Sequence, residues 1–388
     1  MNFLAVFKRE FKLIFSDVAI VLTIVGGVIL YSFLYPQPYA KQSVSALSVS
    51  LVDLDKTTFS REIAFKLDAT PQINIIRYDT SSNDAKKALI DGKIKAIIII
   101  PTNFKRDTTL GSSPTIAVGA DSSYFLVYGG VLEAAMKSIL TQSATLKVSK
   151  LLIAGEPLVQ AKESYTPYSL SVINLFNKDN SYTQYVVPAV FILILQQTIL
   201  IGLGILGGGV NERRKLQTPL VPTQISRAET LQIMSSRFII FFALFFMHLL
   251  FYFGFSFSLF EVTHIARIGE LLNFSLAFLS ASIFLGIFLG SLFNSREIAT
   301  PAVLFSSLPL IFSVGFIWPL EAMPAYVKYF SLIFPSTPAI QGFLGLNQMG
   351  ASFKMVIPQY TLLWTQAVIY AYLGYHFINR KRKENGNN

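Results

Sequence analysis

The 388-residue sequence contains no cysteine, which excludes disulfides, thiolate nucleophiles and cysteine-ligated zinc. Histidine is nearly as scarce: His248, His264 and His376 lie far apart and lack metal-ligand spacing. Charged residues make up only 14% of the chain against 52% hydrophobic and 14% aromatic, more apolar surface than a soluble domain readily hides. Reactive constellations are missing as well. There is no G-x-x-x-x-G-K-[ST] phosphate cradle, no H-E-x-x-H, no G-x-S-x-G elbow and no G-x-G-x-x-G after a strand. Gly207-Gly208-Gly209 follows an apolar stretch with no Lys-Ser/Thr behind it, and reads as a flexible helix exit. No catalytic residue and no metal site is assigned. The net charge of +10 does not mark a nucleic-acid binder, because it is not spread uniformly: residues 36–184 hold 16 Lys/Arg against 13 Asp/Glu, and the remainder 16 against 9.

What is present is length in the apolar runs. Six stretches, 18–35, 185–210, 238–260, 271–293, 299–318 and 359–378, approach or exceed the roughly 18–20 residues that cross a hydrocarbon core of about 30 Å. Tyr, Trp and Phe crowd their ends, as interfacial belts require. No acidic residue falls inside them, which argues against a carboxylate proton relay. With the N-terminus inside, the inner segments carry thirteen Lys/Arg and the short outer loops three, Arg267, Lys328 and Lys354. Both termini are therefore expected in the cytoplasm. The first stretch is too long for a signal-peptide core and lacks a small-residue cleavage site, so it reads as a retained anchor.

Residues 1–16 precede that anchor as an interfacial amphipathic helix, with Lys8, Arg9, Lys12 and Ser16 on one face and Phe3, Leu4, Phe7, Phe11, Ile14 and Phe15 on the other. Glu10 falls in the apolar arc, where a carboxylate needs a partner, a polar groove or a path to the headgroups. Residues 36–184 have a different texture. Strand signals at 46–52, 73–78, 96–100 and 115–118 alternate with helical patterns at 58–67 and 83–91, an α/β domain inserted between the first two spans. A long helical stretch over 124–153 either stands this domain off the bilayer or covers its sheet. Asp53 and Asp55 could ligate a cation, but no third carboxylate sits at ligand spacing, and capping of the following helix is the commoner use. The fold class is thus an α-helical membrane protein with six transmembrane helices plus an α/β extracytoplasmic domain between helices 1 and 2. His248, within the third span, is a candidate for a pathway or proton relay; a buried neutral histidine bonded to a neighbouring helix is the more common outcome.

Three regions carry a family resemblance. The amphipathic start has Phe7-Lys8-Arg9-Glu10 and then Asp17; the lead into the second span runs Leu175-Phe176-Asn177 to Tyr185-Val186-Val187-Pro188; and Gly315, Pro319, Met323-Pro324 and Pro335-Ser336-Thr337-Pro338 lie between the last two spans. Together they resemble the permease subunits of type-2 ABC exporters, the branch with a large extracytoplasmic domain between its first two helices. Lys178 and Ala189 depart from that family's Pro and Gly. The inner stretch Asn211-Glu212-Arg213-Arg214-Lys215 to Pro222-Thr223-Gln224-Ile225-Ser226-Arg227-Ala228-Glu229 is similar to its Glu-Arg and Pro-x-Ser-Arg-x-Glu elements, although the usual Gly-Thr after the basic pair is absent.

The resemblance implies a division of labour. Lys8, Arg9, Glu10, Glu212, Arg213, Arg214, Lys215, Arg227 and Glu229, with the inner loop 211–237, would couple to a separate ABC ATPase subunit that carries ATP and Mg; this chain would bind no cofactor itself. Gly315, Pro319, Met323, Pro324 and Pro335 would form an outer re-entrant turn over 315–340, since closely spaced prolines cannot sit in one continuous span. A second permease copy or paralogue, membrane lipid and a periplasmic adaptor complete the expected partners, in a bacterial plasma (inner) membrane. The cargo would be apolar or amphiphilic, a drug or a lipid. Phe241, Phe242, Phe245, Phe246, Phe251, Phe253, Phe255 and Phe257 either line its path or face lipid. The alternative is a membrane sensor whose outer α/β domain binds a ligand.

Overall fold

The computed structural model describes residues 2–39, 45–123, 125–165, 176–177, 181–216 and 226–386. The chain divides into two compact units, Ser43–Ile173 and Met1–Gln42 with Asn174–Asn388. In chain order the second of these begins with α1 (Phe3–Phe15), ended at Ser16, and α2 (Val18–Tyr39), whose first turn is capped by Asp17 accepting from the Ala19 and Ile20 amides at 3.0 and 3.4 Å. In α1 the stripe Val6, Glu10, Ile14 is buried at i, i+4 spacing, while Phe3, Leu4, Phe11 and Phe15 remain exposed. Within α2, residues Leu22–Gly27 are π-helical.

The Ser43–Ile173 unit is built on β1 (Leu47–Asp53), α3 (Thr58–Asp68), β2 (Ile73–Tyr78), α4 (Ser82–Ile90), β3 (Ala96–Ile100), α5 (Phe104–Thr109) and β4 (Ala117–Ala120). The sheet order is β2-β1-β3-β4, with β1 parallel to both β2 and β3 and β4 antiparallel to β3. Two parallel pairs need two crossovers, which α3 and α4 supply. The fourth strand is set two residues later than its periodicity predicts. The long helix α6 (Phe125–Ile153) buries Val131, Ala134 and Ala135 in the same core as Val49, Leu51 and Ile98, so it covers the sheet; α7 (Leu158–Tyr165) follows. Asp53 and Asp55 turn inward on the chain. Asp53 accepts from the Asp55 and Lys56 amides at 3.1 and 3.0 Å and from Ser60 Oγ at 2.7 Å, and Asp55 from Thr57 Oγ1 at 2.6 Å; both brace the turn before α3, whose N-cap is Thr57. Beyond β2, burial opposes ionisation of Asp79. The Ser50 hydroxyl at 2.6 Å and Arg77 at 2.7 Å outweigh it and hold the carboxyl below the usual range.

The other unit continues with α8 (Tyr182–Lys215), α9 (Arg227–Leu259), α10 (Ile268–Leu292), α11 (Ala299–Ser313), a 3₁₀ turn at Leu320–Ala322, the short α12 (Ala325–Ser331) and α13 (Ser336–Phe343), and α14 (Ile357–Gly386). Among the described residues, α2, α8, α9 and α10 are the helices long and apolar enough to span a bilayer by composition. The fifth apolar stretch does not stay helical to its end. It forms 15 residues of α11, about 22 Å of rise, and then breaks at Val314-Gly315. A helix hydrophobic all round belongs in the interior. That is α8, 94% buried across its apolar window against 22% for α2.

Candidate coupling face and re-entrant turn

One end of α8 gathers charge. Glu10 is 2% exposed, and it neither reaches solvent nor lies unpaired: Arg237 donates to one carboxylate oxygen at 2.8 Å and Arg9 to the other at 3.3 Å. Arg9 also binds Glu229 at 3.1 Å, and Ser226 fixes Glu229 in the first turn of α9 by accepting its amide at 3.1 Å. Val6 packs on Ile233 beside this cluster. A buried acid between two guanidiniums costs heavily if any member is lost. The network thus pins α1 to the start of α9. Close by, Arg296 binds Asp17 at 3.1 Å, its amide reaches Glu212 at 3.4 Å, and Asn211 donates to the Phe293 carbonyl at 2.8 Å, capping the end of α10. Thr230 joins Asn379 of α14 at 3.0 Å.

The nine residues expected at a coupling face therefore divide. Lys8, Lys215 and Arg227 are exposed, Glu212 and Arg213 are half-buried, and Arg9, Glu10, Arg214 and Glu229 are drawn largely into the interior of this end of the bundle. The motif residues Pro222, Thr223, Gln224 and Ile225 lie outside the described residues, as do Leu175 and Lys178.

The opposite end of α8 meets the broken helices. Gly315 adopts φ +101°, a left-handed conformation that any side chain would strain, and a Cβ there would lie 2.6 Å from Leu320. Pro335 is buried, while Pro319 and Pro324 are exposed and Met323 is partly so. Backbone that leaves helical pairing inside an apolar bundle must find other partners. It finds side chains: Gln196 of α8 accepts from the Ser336 amide and donates to its hydroxyl at 3.1 Å, Gln366 donates to the Leu332 carbonyl at 2.7 Å, Thr337 to Ser331 at 2.7 Å, and Tyr370 to Ile333. Tyr185 donates to the Phe316 carbonyl. At the mouth, Gln184 accepts from the Thr263 amide at 2.6 Å and donates to the Glu261 carbonyl at 2.6 Å.

His248 is occupied in a similar way. It is 7% exposed, and its Nε2 lies 2.8 Å from the Ile24 carbonyl in the π-helical stretch of α2; a neutral ring with the proton on Nε2 donates there. Tyr252, one turn on, donates to the Val28 carbonyl at 2.8 Å. A π-turn displaces carbonyls from the regular ladder; His248 takes up one inside the stretch, and Tyr252 bonds the residue just past its end. His248 is thus a buried side chain bonded to the backbone of a neighbouring helix.

Two further expectations change. Phe241, Phe245, Phe253 and Phe257 are buried between helices, stacking with one another, Phe191 and Phe343, while Phe255 is exposed. Half of this aromatic set is core, and Phe242, Phe246 and Phe251 are partly buried against it. Gly207 and Gly208 lie inside α8, not at a loose exit. A Cβ on Gly207 would fall 2.5 Å from the Gly290 backbone, and one on Gly208 2.3 Å from the Ser295 carbonyl. The backbones of α8 and α10 cross in contact, and the Gly286-x-x-x-Gly290 spacing is the sequence signal that marks such a crossing. Gln184, Gln196, Asn211 and Gln366 had no such signal, being single amides in apolar helices.

A packed bundle of apolar helices, with ion pairs at one end and side-chain-supported broken helices at the other, defines a polytopic membrane subunit. Residues 18–376 match the family described as ABC-2 family transporter protein, and the chain belongs to that family. Membership makes it an ABC-type permease and implies an ABC ATPase as its partner. No curated protein sequence matches the chain.

Proposed function

We propose that the chain is the membrane-spanning half of an ATP-driven exporter in a bacterial inner membrane, with six spans, both termini cytoplasmic and the α/β unit on the outer side. ATP and Mg belong to the partner ATPase, and the working assembly pairs this chain with a second copy or a paralogue. The observation that carries the reading is the polarity of α8. Its last turns end in the basic Arg213-Arg214-Lys215 and bind the α10 end through Asn211 and the Arg296 amide through Glu212, and its first half holds the α9–α10 turn through Gln184 and the broken helices through Tyr185 and Gln196. Thirteen basic residues on the segments at the charged end support placing that end inside. A basic face offers contact to an ATPase, and an apolar interior suits an apolar or amphiphilic cargo.

The coupling residues are then the exposed Lys8, Lys215 and Arg227, with the ionic network behind them transmitting load. Lys215→Ala/Arg227→Ala, which leaves every described ion pair intact, should lower ATP-driven transport in vesicles holding the permease and its ATPase, with insertion unchanged. Full transport by that variant, or transport by the permease without any ATPase, would refute the reading.

A further inference from the structure

The mouth where α1 turns into α2 opens a groove of about 890 Å³ whose two sides differ in chemistry. Arg9, Lys12, Arg213 and Arg296 bring four cationic side chains to it, and Asp17 is the single carboxylate among its lining residues. Asp17 is already engaged by Arg296 at 3.1 Å and by the Ala19 and Ile20 amides. Arg9 is bound to Glu10 and Glu229 behind the groove, and the basic character of the lining rests on Lys12 and Arg213. Its other side is apolar: Leu13, Val18, Ala19 and Leu22. Val18 and Leu22, one turn apart on α2, are 79% and 67% exposed, so the apolar strip runs from the basic mouth along the outside of the helix.

We infer that this groove binds an anionic phospholipid of the inner leaflet, its phosphate held by Lys12 and Arg213 and its acyl chain lying along Val18 and Leu22. Charge complementarity selects the headgroup, and the adjoining strip selects a lipid over a free anion, which has no use for exposed leucine and valine. The inference rests on the reading that α1 lies at the inner leaflet, but not on any coupling to ATP. Lipid binding is read without the ATPase, so its failure would leave the exporter reading standing.

The test uses the full-length protein equilibrated in vesicles of equal parts phosphatidylglycerol and phosphatidylcholine, extracted, and its retained lipid identified by native mass spectrometry. Wild type should retain phosphatidylglycerol preferentially. Each basic side chain beside an anionic headgroup contributes about fivefold in affinity, so Lys12→Gln/Arg213→Gln should weaken retention roughly 30-fold. Lys8→Gln/Arg227→Gln, the same charge change on exposed residues outside the groove, should leave it nearly unaltered. Leu22→Gln should weaken retention with every charge intact, and Lys12→Arg/Arg213→Lys should preserve it; these two keep the test decisive if the double glutamine variant does not fold. Equal loss in both charge-matched variants would reduce the site to diffuse attraction and overturn the proposal. So would displacement of the lipid by inorganic phosphate, which marks a free-anion site, or unchanged retention in Lys12→Gln/Arg213→Gln.

Discussion

Replacing Glu10 with Gln tests the ionic pin on α1. At an effective dielectric of about 20, the contacts of Glu10 with Arg237 at 2.8 Å and Arg9 at 3.3 Å each carry roughly 5–6 kcal/mol of gross attraction. Most of that is cancelled by the cost of taking the ions out of water. What the substitution exposes is the residue left behind: Arg237, itself buried, loses its carboxylate while Glu229 still serves Arg9. An uncompensated buried guanidinium costs about 3 kcal/mol. Because α1 is tied to α9 through this cluster, the loss should appear first as local opening of Phe3–Phe15. Amide hydrogen exchange there should accelerate by roughly two orders of magnitude in the detergent-solubilised chain, while the interior of α8 changes little. Adding Arg237→Met removes the stranded charge, and the double variant should return to within about tenfold of wild type. Wild-type exchange in the Glu10→Gln single variant, or a double variant no better than the single, would refute the argument.

Gly207→Ala places a methyl group 2.5 Å from the Gly290 backbone and should cost about 1–3 kcal/mol, lowering the thermal unfolding temperature. Gly254→Ala, where a Cβ meets open space, is the control, and equal melting of the two would disprove the close crossing. His248→Leu strands the buried Ile24 carbonyl at a cost of about 1–3 kcal/mol, and His248→Gln, which keeps a donor, should recover most of it. If His248→Leu instead abolishes transport with thermal stability intact, the structural role is wrong. Asp79 has its folded pKa below the unfolded value, so its contribution is fully present above the unfolded pKa of about 4 and is lost as pH falls through the lower, folded one. Exchange protection of Leu47–Asp53 should hold between neutral and mildly acidic pH and fall under more acidic conditions. Asp79→Asn should flatten that fall, and an unchanged acid slope would exclude the assignment.

Much of the architecture was legible because periodicity reports local structure. The continuous run Ala96–Ile100 became a central strand paired on both sides, and the 3.6-residue pattern after Asn2 became α1. Long-range pairing was not legible. Glu10 stood out only as a carboxylate in an apolar arc, and its partners Arg237 and, through Arg9, Glu229 lie more than 200 residues away. Apolar content likewise gives a stretch its solubility in lipid without giving its conformation. The segment ending at Trp318 reads as one span, yet the positive φ of Gly315 and the prolines beyond it bend the chain after 15 helical residues. The aromatic stretch of α9 was ambiguous for a related reason: composition cannot say which neighbours will cover a face, and Phe343 and Phe191, from distant segments, do so.

The most deeply buried of the four long apolar helices is thus the one on which the polar organisation depends. An all-apolar α8 would have buried itself equally well, yet it spends interior positions on Gln184 and Gln196 and ends in Asn211 and a basic triplet. Each of these amides meets backbone that has left its own helix: the Glu261–Thr263 turn, the start of α13 and the end of α10. Removing one would orphan a buried donor or acceptor in a different segment of the chain. The amides hold the broken helices at one end and the α10 terminus beside the ion pairs at the other, and the Gly207–Gly290 crossing leaves little slack between them. Under the proposed function, load applied at the charged end meets a packed helix bonded to the broken turn, rather than a loose tether.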